Sequence, residues 1–244
     1  MKFTKMHGAG NDFVILDGIV EDAPGPARVA ELCDRHTGIG GDGLLRATPI
    51  EDGVRMEYWN ADGSEAEMCG NGLRCVAWFA HVRGWVGESF TVATPRGPLP
   101  AEIVGDHRVR VGVGSVAVGE RGELLGVEVS RVDVGNPHAV VEVADVAAAA
   151  VDTIGRRLDA GVPGGINTGF MAVSEGGIAL RVHERGVGET LACGSGAVAA
   201  AAVALGGDGI IDVHLPGGTL TVEVANGQAW LTGPVAEVFT GQTP

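Results

Sequence analysis

The sequence predicts an α+β fold built as two pseudo-symmetric halves, each a curved β-sheet wrapped round a central helix. Three observations predict it. A set of motifs recurs with a period near 124 residues. The predicted strands are short and rich in Val and Ile, and each half carries about two helical runs. The 244 residues are 45% apolar, enough for one large domain or two smaller ones, each with its own core.

The repeat centres on two cysteines. MCGNGLRC carries Cys69 and LACGSGAV carries Cys193, and both read Cys-Gly-x-Gly at the start of a run that can be helical. Nine residues before each cysteine a polar residue ends a predicted strand, Asn60 in one half and Glu184 in the other. Twenty-six residues before them lie Gly43 and Asn167. Asn11 precedes Cys69 by 58 residues, and Asn136 precedes Cys193 by 57. Glycine turns are common in a chain with 41 glycines, but a series in one order at near-constant spacing is hard to obtain by chance.

The elements follow in order. Strands are predicted at 13–17, 55–59, 89–93, 108–113, 127–134, 139–143, 179–183, 210–215 and 219–224. Helices are predicted at 26–35, 71–83, 150–160 and 194–205. The N-terminal half is expected over 1–105, joined by 234–244, and the C-terminal half over 106–233. The stretch 115–126 reads as a trimmed connector.

Composition narrows the function classes. A net charge of −14 opposes nucleic acid or an anionic membrane as partner. The opening MKFTKMHGAGNDF has no unbroken apolar run, so no signal peptide is expected, and no stretch is long enough to span a bilayer. Four cysteines fall short of a disulfide scaffold. A soluble protein of a reducing cytoplasm is expected.

Cys69 and Cys193 sit at predicted helix N-termini. Unpaired amides and the helix dipole there favour negative charge, which is expected to lower each thiol's pKa. The glycines after each cysteine leave room for a ligand carboxylate on the helix amides. If the halves pack face to face, both helices point into one cleft, with a thiol on either side. Such a pair suits inversion at a carbon acid. One thiolate removes the α-proton, the opposite thiol delivers another, and the amides stabilise the carbanion.

Rival chemistries are less well supported. Lys2 and Lys5 are the only lysines, which argues against a pyridoxal Schiff base. No Cys-x-x-Cys or His-x-x-x-His spacing suggests zinc, and GIGGDG lacks the dinucleotide-binding order. Neither cofactor nor metal is expected. A Cys–His hydrolase using His138 or His183 as base stays open, but it leaves one cysteine motif unexplained. Cys33 and Cys75 read as small buried residues.

The motifs KMHGAGNDF, HTGIGGDGLL, NADGSEAEMCGNGLRC, VGNPHAVV, INTGF, ERGVGETLACGSGA and LPGG resemble the diaminopimelate epimerase family along nearly the whole chain. The resemblance implies cofactor-independent epimerisation of LL-2,6-diaminopimelate to the meso form, in lysine and peptidoglycan precursor synthesis. It implies Cys69 and Cys193 as catalytic residues, with His138 and Glu184 tuning the thiols. It implies Asn11, Asn60, Gly70, Asn71, Asn136, Asn167, Glu184, Arg185, Gly194 and Ser195 as substrate-binding. Some family members carry glutamine where this chain has Gly43. Arg185 could grip a carboxylate bidentately. A small amino acid is the expected partner, and a homodimer the expected assembly. A racemase of the proline type and a non-catalytic amino-acid-binding protein are the alternatives.

Overall fold

The computed structural model describes residues 1–66 and 68–243. Glu67, inside the first cysteine motif, and Pro244, the end of the segment expected to rejoin the N-terminal half, lie outside the described residues.

The first unit opens with β1 (Lys2–Gly8), β2 (Asn11–Asp17), α1 (Pro26–Cys33), β3 (Gly43–Ile50) and β4 (Gly53–Asn60). It continues with α2 (Gly70–Val82), β5 (Ser89–Thr94), β6 (Gly97–Gly105) and β7 (Arg108–Ser115). Then come β8 (Ala117–Leu124), β9 (Val127–Asp133), β10 (Pro137–Glu142), α3 (Val151–Gly161) and β11 (Asn167–Ser174). The remainder is β12 (Gly177–Glu184), β13 (Gly188–Thr190), α4 (Gly194–Leu205), β14 (Gly209–Leu215), β15 (Gly218–Ala225), β16 (Gln228–Pro234) and β17 (Ala236–Gln242). Two compact units result, Met1–Val111 with Gly233–Pro244, and Gly112–Thr232.

In the N-terminal unit the strands neighbour one another in the order β17-β1-β2-β3-β4-β5-β6-β7. Two steps are parallel, β2 with β3 and β4 with β5, and the rest are antiparallel. A parallel step needs a crossover, and α1 and α2 supply the two. The C-terminal unit repeats the scheme. Its strands run β8-β9-β10-β11-β12-β14-β15-β16, with β13 on β12. The parallel steps are β10 with β11 and β12 with β14, bridged by α3 and α4. The duplication read from the motifs is therefore also a duplication of strand directions. Asn167 lies opposite His138, as Gly43 lies opposite Phe13.

The crossover helices differ in kind. In α2 every residue from Gly70 to Ala80 is buried, and in α4 so are Gly194 and Gly196 to Ala202. A helix buried on all sides must be enclosed. Strands β1 to β4 and β6 surround α2, and β8 to β12, β14 and β15 surround α4. Each fully buried Leu, Val or Phe on such a helix contributes roughly 1.5–3 kcal/mol. The other two helices are amphipathic and cover the outer faces. Val29, Leu32 and Cys33 of α1 pack on Val14, Leu16, Leu44 and Trp59. Val151 and Leu158 of α3 pack on Val129, Ala139 and Phe170.

Two expectations need correction, and one gains detail. The stretch 115–126, read as a trimmed connector, forms β8, which pairs with β9 through a tight turn at Leu125 (φ 50°) and Gly126 (φ 77°). Its charged residues point outward, and Arg121 pairs with Glu128 and Glu142. Helix α1 ends at Cys33 rather than 35, because Asp34 turns extended and its carboxylate accepts from the amides of His36 and Thr37. Strands β1, β3, β6, β11, β13, β16 and β17 also form where no strand was predicted. Among the described residues no helix is long and apolar enough to cross a membrane.

Candidate active site

Each unit places one cysteine as the N-cap of its buried helix. Cys69 has extended backbone (φ −140°, ψ 119°), and its sulfur accepts the Gly72 amide at 3.5 Å. Cys193 is likewise extended (φ −119°, ψ 114°), and its sulfur accepts the Gly196 amide at 3.3 Å. The thiols thus take the role that Ser, Thr or Asp usually fill at a helix start. The second glycine of each motif is tightly packed. A Cβ on Gly72 would come within 3.2 Å of Leu45, and one on Gly196 within 3.0 Å of Val182. The amides of Gly70 and Asn71, and of Gly194 and Ser195, are those for which a helix offers no acceptor of its own. They are the donors a carboxylate would use.

In the N-terminal unit the Cys69 thiol donates to Asn11 Oδ1 at 3.5 Å, and Asn71 Nδ2 donates to the same oxygen at 3.2 Å. Asn11 Nδ2 donates to Asp42 at 2.7 Å. Behind it Lys5, Asp12, Arg35 and Asp42 form one charged cluster. Burial raises the Asp12 carboxyl, but hydrogen bonds from Arg35 and Lys5 outweigh it and hold Asp12 at about 2. Asn60 ends β4 and donates to Ser64 Oγ at 3.0 Å. Gly43, opposite Asn60, offers backbone only. An added Cβ would lie 2.6 Å from the Trp59 carbonyl and 2.7 Å from the Tyr58 ring. A glutamine side chain has no room there.

In the C-terminal unit the Cys193 thiol is surrounded by polar groups although it is only 4% exposed. Ser195 Oγ lies 3.5 Å from its sulfur, and the Glu184 carboxylate hydrogen-bonds it. Glu184 is held in turn by Thr190 Oγ1, which donates to Oε1 at 2.5 Å. Burial raises this thiol well above the ordinary range, and the Glu184 charge raises it further, against the Ser195 and Gly196 bonds that lower it. The expected lowering at a helix N-terminus is therefore overturned for Cys193, because desolvation and an adjacent anion outweigh the favourable amide.

The remaining expected residues cluster near β10 and β11. Asn167 is buried, accepts from the Arg185 amide at 3.0 Å and donates to the Pro137 carbonyl at 3.1 Å. It braces the loop that carries Arg185. Arg185 Nη1 donates to the Gly164 carbonyl at 3.1 Å. His138 is 1% exposed, and its Nε2 lies 3.2 Å from Asn136 Oδ1. Burial, then the nearby Arg185 charge, lower His138 to about 4, so its ring is neutral near pH 7. A neutral ring that bonds a carbonyl oxygen through Nε2 carries its proton there.

Sequence reasoning missed Thr190, Asp42 and Arg74. Thr190 stands three residues before Cys193, where the first half has Ala66, so the repeat itself hid it. Arg74 left a plainer signal, one arginine inside the apolar run LRCVAW.

Comparison with known proteins agrees with this architecture. The family model for diaminopimelate epimerase matches residues 3–118 and 130–238. Diaminopimelate epimerase 1 of Nostoc sp. is 38% identical over 276 residues, covering 99% of both chains. Among solved structures, a phenazine biosynthesis protein of the PhzF family from Bacillus anthracis superposes with a TM-score of 0.81 at 14% identity, over 100% of this chain and 99% of that one. A probable proline racemase from Agrobacterium radiobacter gives 0.74 at 16% identity, over 100% and 92%. These distant structures share the fold, whereas the sequence matches are specific. The chain belongs to the diaminopimelate epimerase family.

Proposed function

We propose that the chain epimerises LL-2,6-diaminopimelate to meso-diaminopimelate by a two-thiol acid/base mechanism. The observation that carries it is the doubled half-site, a cysteine N-capping a glycine-led buried helix in each unit, with sulfur on the third helical amide. Inversion needs a base on one face of the α-carbon and an acid on the other, so this reading requires both thiols to flank one α-carbon. Cys193, raised by burial and Glu184, suits the protonated partner. The helix amides take the substrate carboxylate and stabilise the carbanion as it forms. Arg185 receives the distal carboxylate, and Asn11, Asn60, Asn71, Asn136 and Asn167 order the polar ends.

The reading includes no pyridoxal group. Lys5 is ion-paired to Asp12 and bonded to the Gly40 carbonyl, and Lys2 is the only other lysine. It includes no metal, and it places the enzyme in the cytoplasm as a homodimer. The test is incubation of the purified protein with LL-diaminopimelate and, separately, with L-proline, with and without chelator. Interconversion of diaminopimelate alone, unaffected by chelator, supports the reading. Racemisation of proline, or activity lost on chelation and restored by metal, contradicts it.

A further inference from the structure

Arg74 is the largest fully buried side chain among the described residues. It lies in the second turn of α2, five residues after Cys69. Its Nη1 donates to the Gly70 carbonyl at 3.2 Å and its Nη2 to Asn71 Oδ1 at 2.8 Å. Its Nε has no hydrogen-bond partner. A buried guanidinium is expensive unless paired, yet among the described residues the ionisable groups acting on this one are only the thiols of Cys75 and Cys69. Burial lowers it to about 10, so it is still a cation at neutral pH. Gly8 on β1 makes space for it, since a Cβ there would lie 3.0 Å from Nη2.

The repeat shows how specific this placement is. Five residues after Cys193 stands Val198, fully buried. One thiol therefore has a cation in its helix, and the other has the Glu184 carboxylate beside it. A short chain of contacts joins Arg74 to Cys69. Arg74 fixes Asn71 Oδ1, Asn71 Nδ2 bonds Asn11 Oδ1, and the same oxygen accepts the Cys69 thiol.

We propose that Arg74 is a positioning residue for Cys69. It clamps the Asn71–Asn11 amide pair and supplies an unpaired positive charge that favours the Cys69 thiolate, which makes Cys69 the resting base. The inference rests on the reading of Cys69 as an acid/base group. The other charges on the elements around α2 are paired, save Lys2 on β1 and Arg55 on β4, which are exposed and have no ion pair among the described residues. Lys5 and Arg35 meet Asp12 and Asp42, whose formal charges cancel theirs, Arg46 meets Glu57, and Arg110 meets Glu102. His7 on β1 accepts the Gly10 amide, and the Tyr58 ring on β4 packs edge-on against Phe13. Cys75 is pushed up to about 12 by burial and stays neutral.

The test is alkylation with iodoacetamide across a pH series, each cysteine mapped by mass spectrometry, in wild type, Arg74→Lys and Arg74→Gln. Arg74→Gln should move the Cys69 midpoint up by about one pH unit, making alkylation about tenfold slower near neutrality. Arg74→Lys, which keeps the charge, should retain most of the wild-type rate. A folded Arg74→Gln variant with an unchanged Cys69 profile overturns the proposal, as does Arg74→Lys matching Arg74→Gln. If both variants fail to fold, nuclear magnetic resonance of the unmutated protein decides. The Arg74 Nε–H signal should shift with the Cys69 midpoint and stop shifting once Cys69 is alkylated, and a signal indifferent to Cys69 overturns the proposal. Alkylation needs no turnover. A Cys69 profile that depends on Arg74 in a protein inert toward diaminopimelate would fail the proposed function and leave this inference standing.

Discussion

Replacing Glu184 by glutamine should lower the Cys193 thiol pKa while leaving its surroundings nearly isosteric. The carboxylate hydrogen-bonds the sulfur, and its charge is the second cause, after burial, of the raised thiol. A unit charge about 4 Å away at an effective dielectric of about 20 is worth about 4 kcal/mol. That is about 3 pKa units and sets the upper bound. Glutamine can still accept from Thr190, and burial is unchanged, so a fall of at least about one unit is expected. The assay is a pH titration of thiolate ultraviolet absorbance in a Cys69→Ser background. Cys33 and Cys75 are raised by burial to about 11 and about 12, so Cys193 should separate from them once Glu184 is neutral. An unchanged titration in a folded Glu184→Gln protein would refute the assignment of the Glu184 charge as a determinant of this thiol.

Other outcomes follow from the same geometry. Cys69→Ala and Cys193→Ala should each abolish epimerisation, whereas Cys33→Ala and Cys75→Ala, buried and at neither helix N-cap, should keep most of it; turnover assays on the four variants decide. Gly43→Ala should destabilise the fold, because its Cβ would strike the Trp59 carbonyl, and thermal melting measures the loss. Stability should fall in acid from two groups with depressed pKa values. His138, neutral when folded, contributes stability above its unfolded pKa of about 6.5 that is lost as pH falls toward 4. Asp12 contributes roughly 2 kcal/mol that is lost as pH falls from 3.8 toward 2, and Asp12→Asn should remove that part of the acid profile in denaturant titrations. Because the proposed function requires both thiols to flank one α-carbon, that reading further predicts that mild oxidation inactivates the protein through a Cys69–Cys193 disulfide that reductant reverses and substrate prevents, and peptide mapping of the inactive form tests this.

Much of the fold was legible because it is written twice. The Cys-Gly-x-Gly motifs located α2 and α4, and these are the central helices that the predicted pair of curved sheets called for. The strands that escaped prediction have a physical reason. In β3 the run GLLRATPI holds Pro49 and Arg46, and in β8 the run AVGERGEL is exposed along most of its length. Neither shows clean alternation, and both are strands because a neighbour pairs with them. The site was legible to the same extent. Repeated residues stood out, while unrepeated ones such as Arg74 and Thr190 did not. The Cys193 ionisation was misjudged because a helix start is visible in sequence, but the burial and the Glu184 contact that overrule it are not.

The most direct test of the two-thiol account is epimerisation in deuterium oxide, followed from the first turnovers. If one thiol takes the proton and the other delivers its own, the meso product carries deuterium at the inverted α-carbon from the start, while recovered LL-diaminopimelate stays unlabelled. Product that retains the substrate proton, or deuterium in recovered substrate as fast as in product, would mean that a single group serves both faces and would contradict the account.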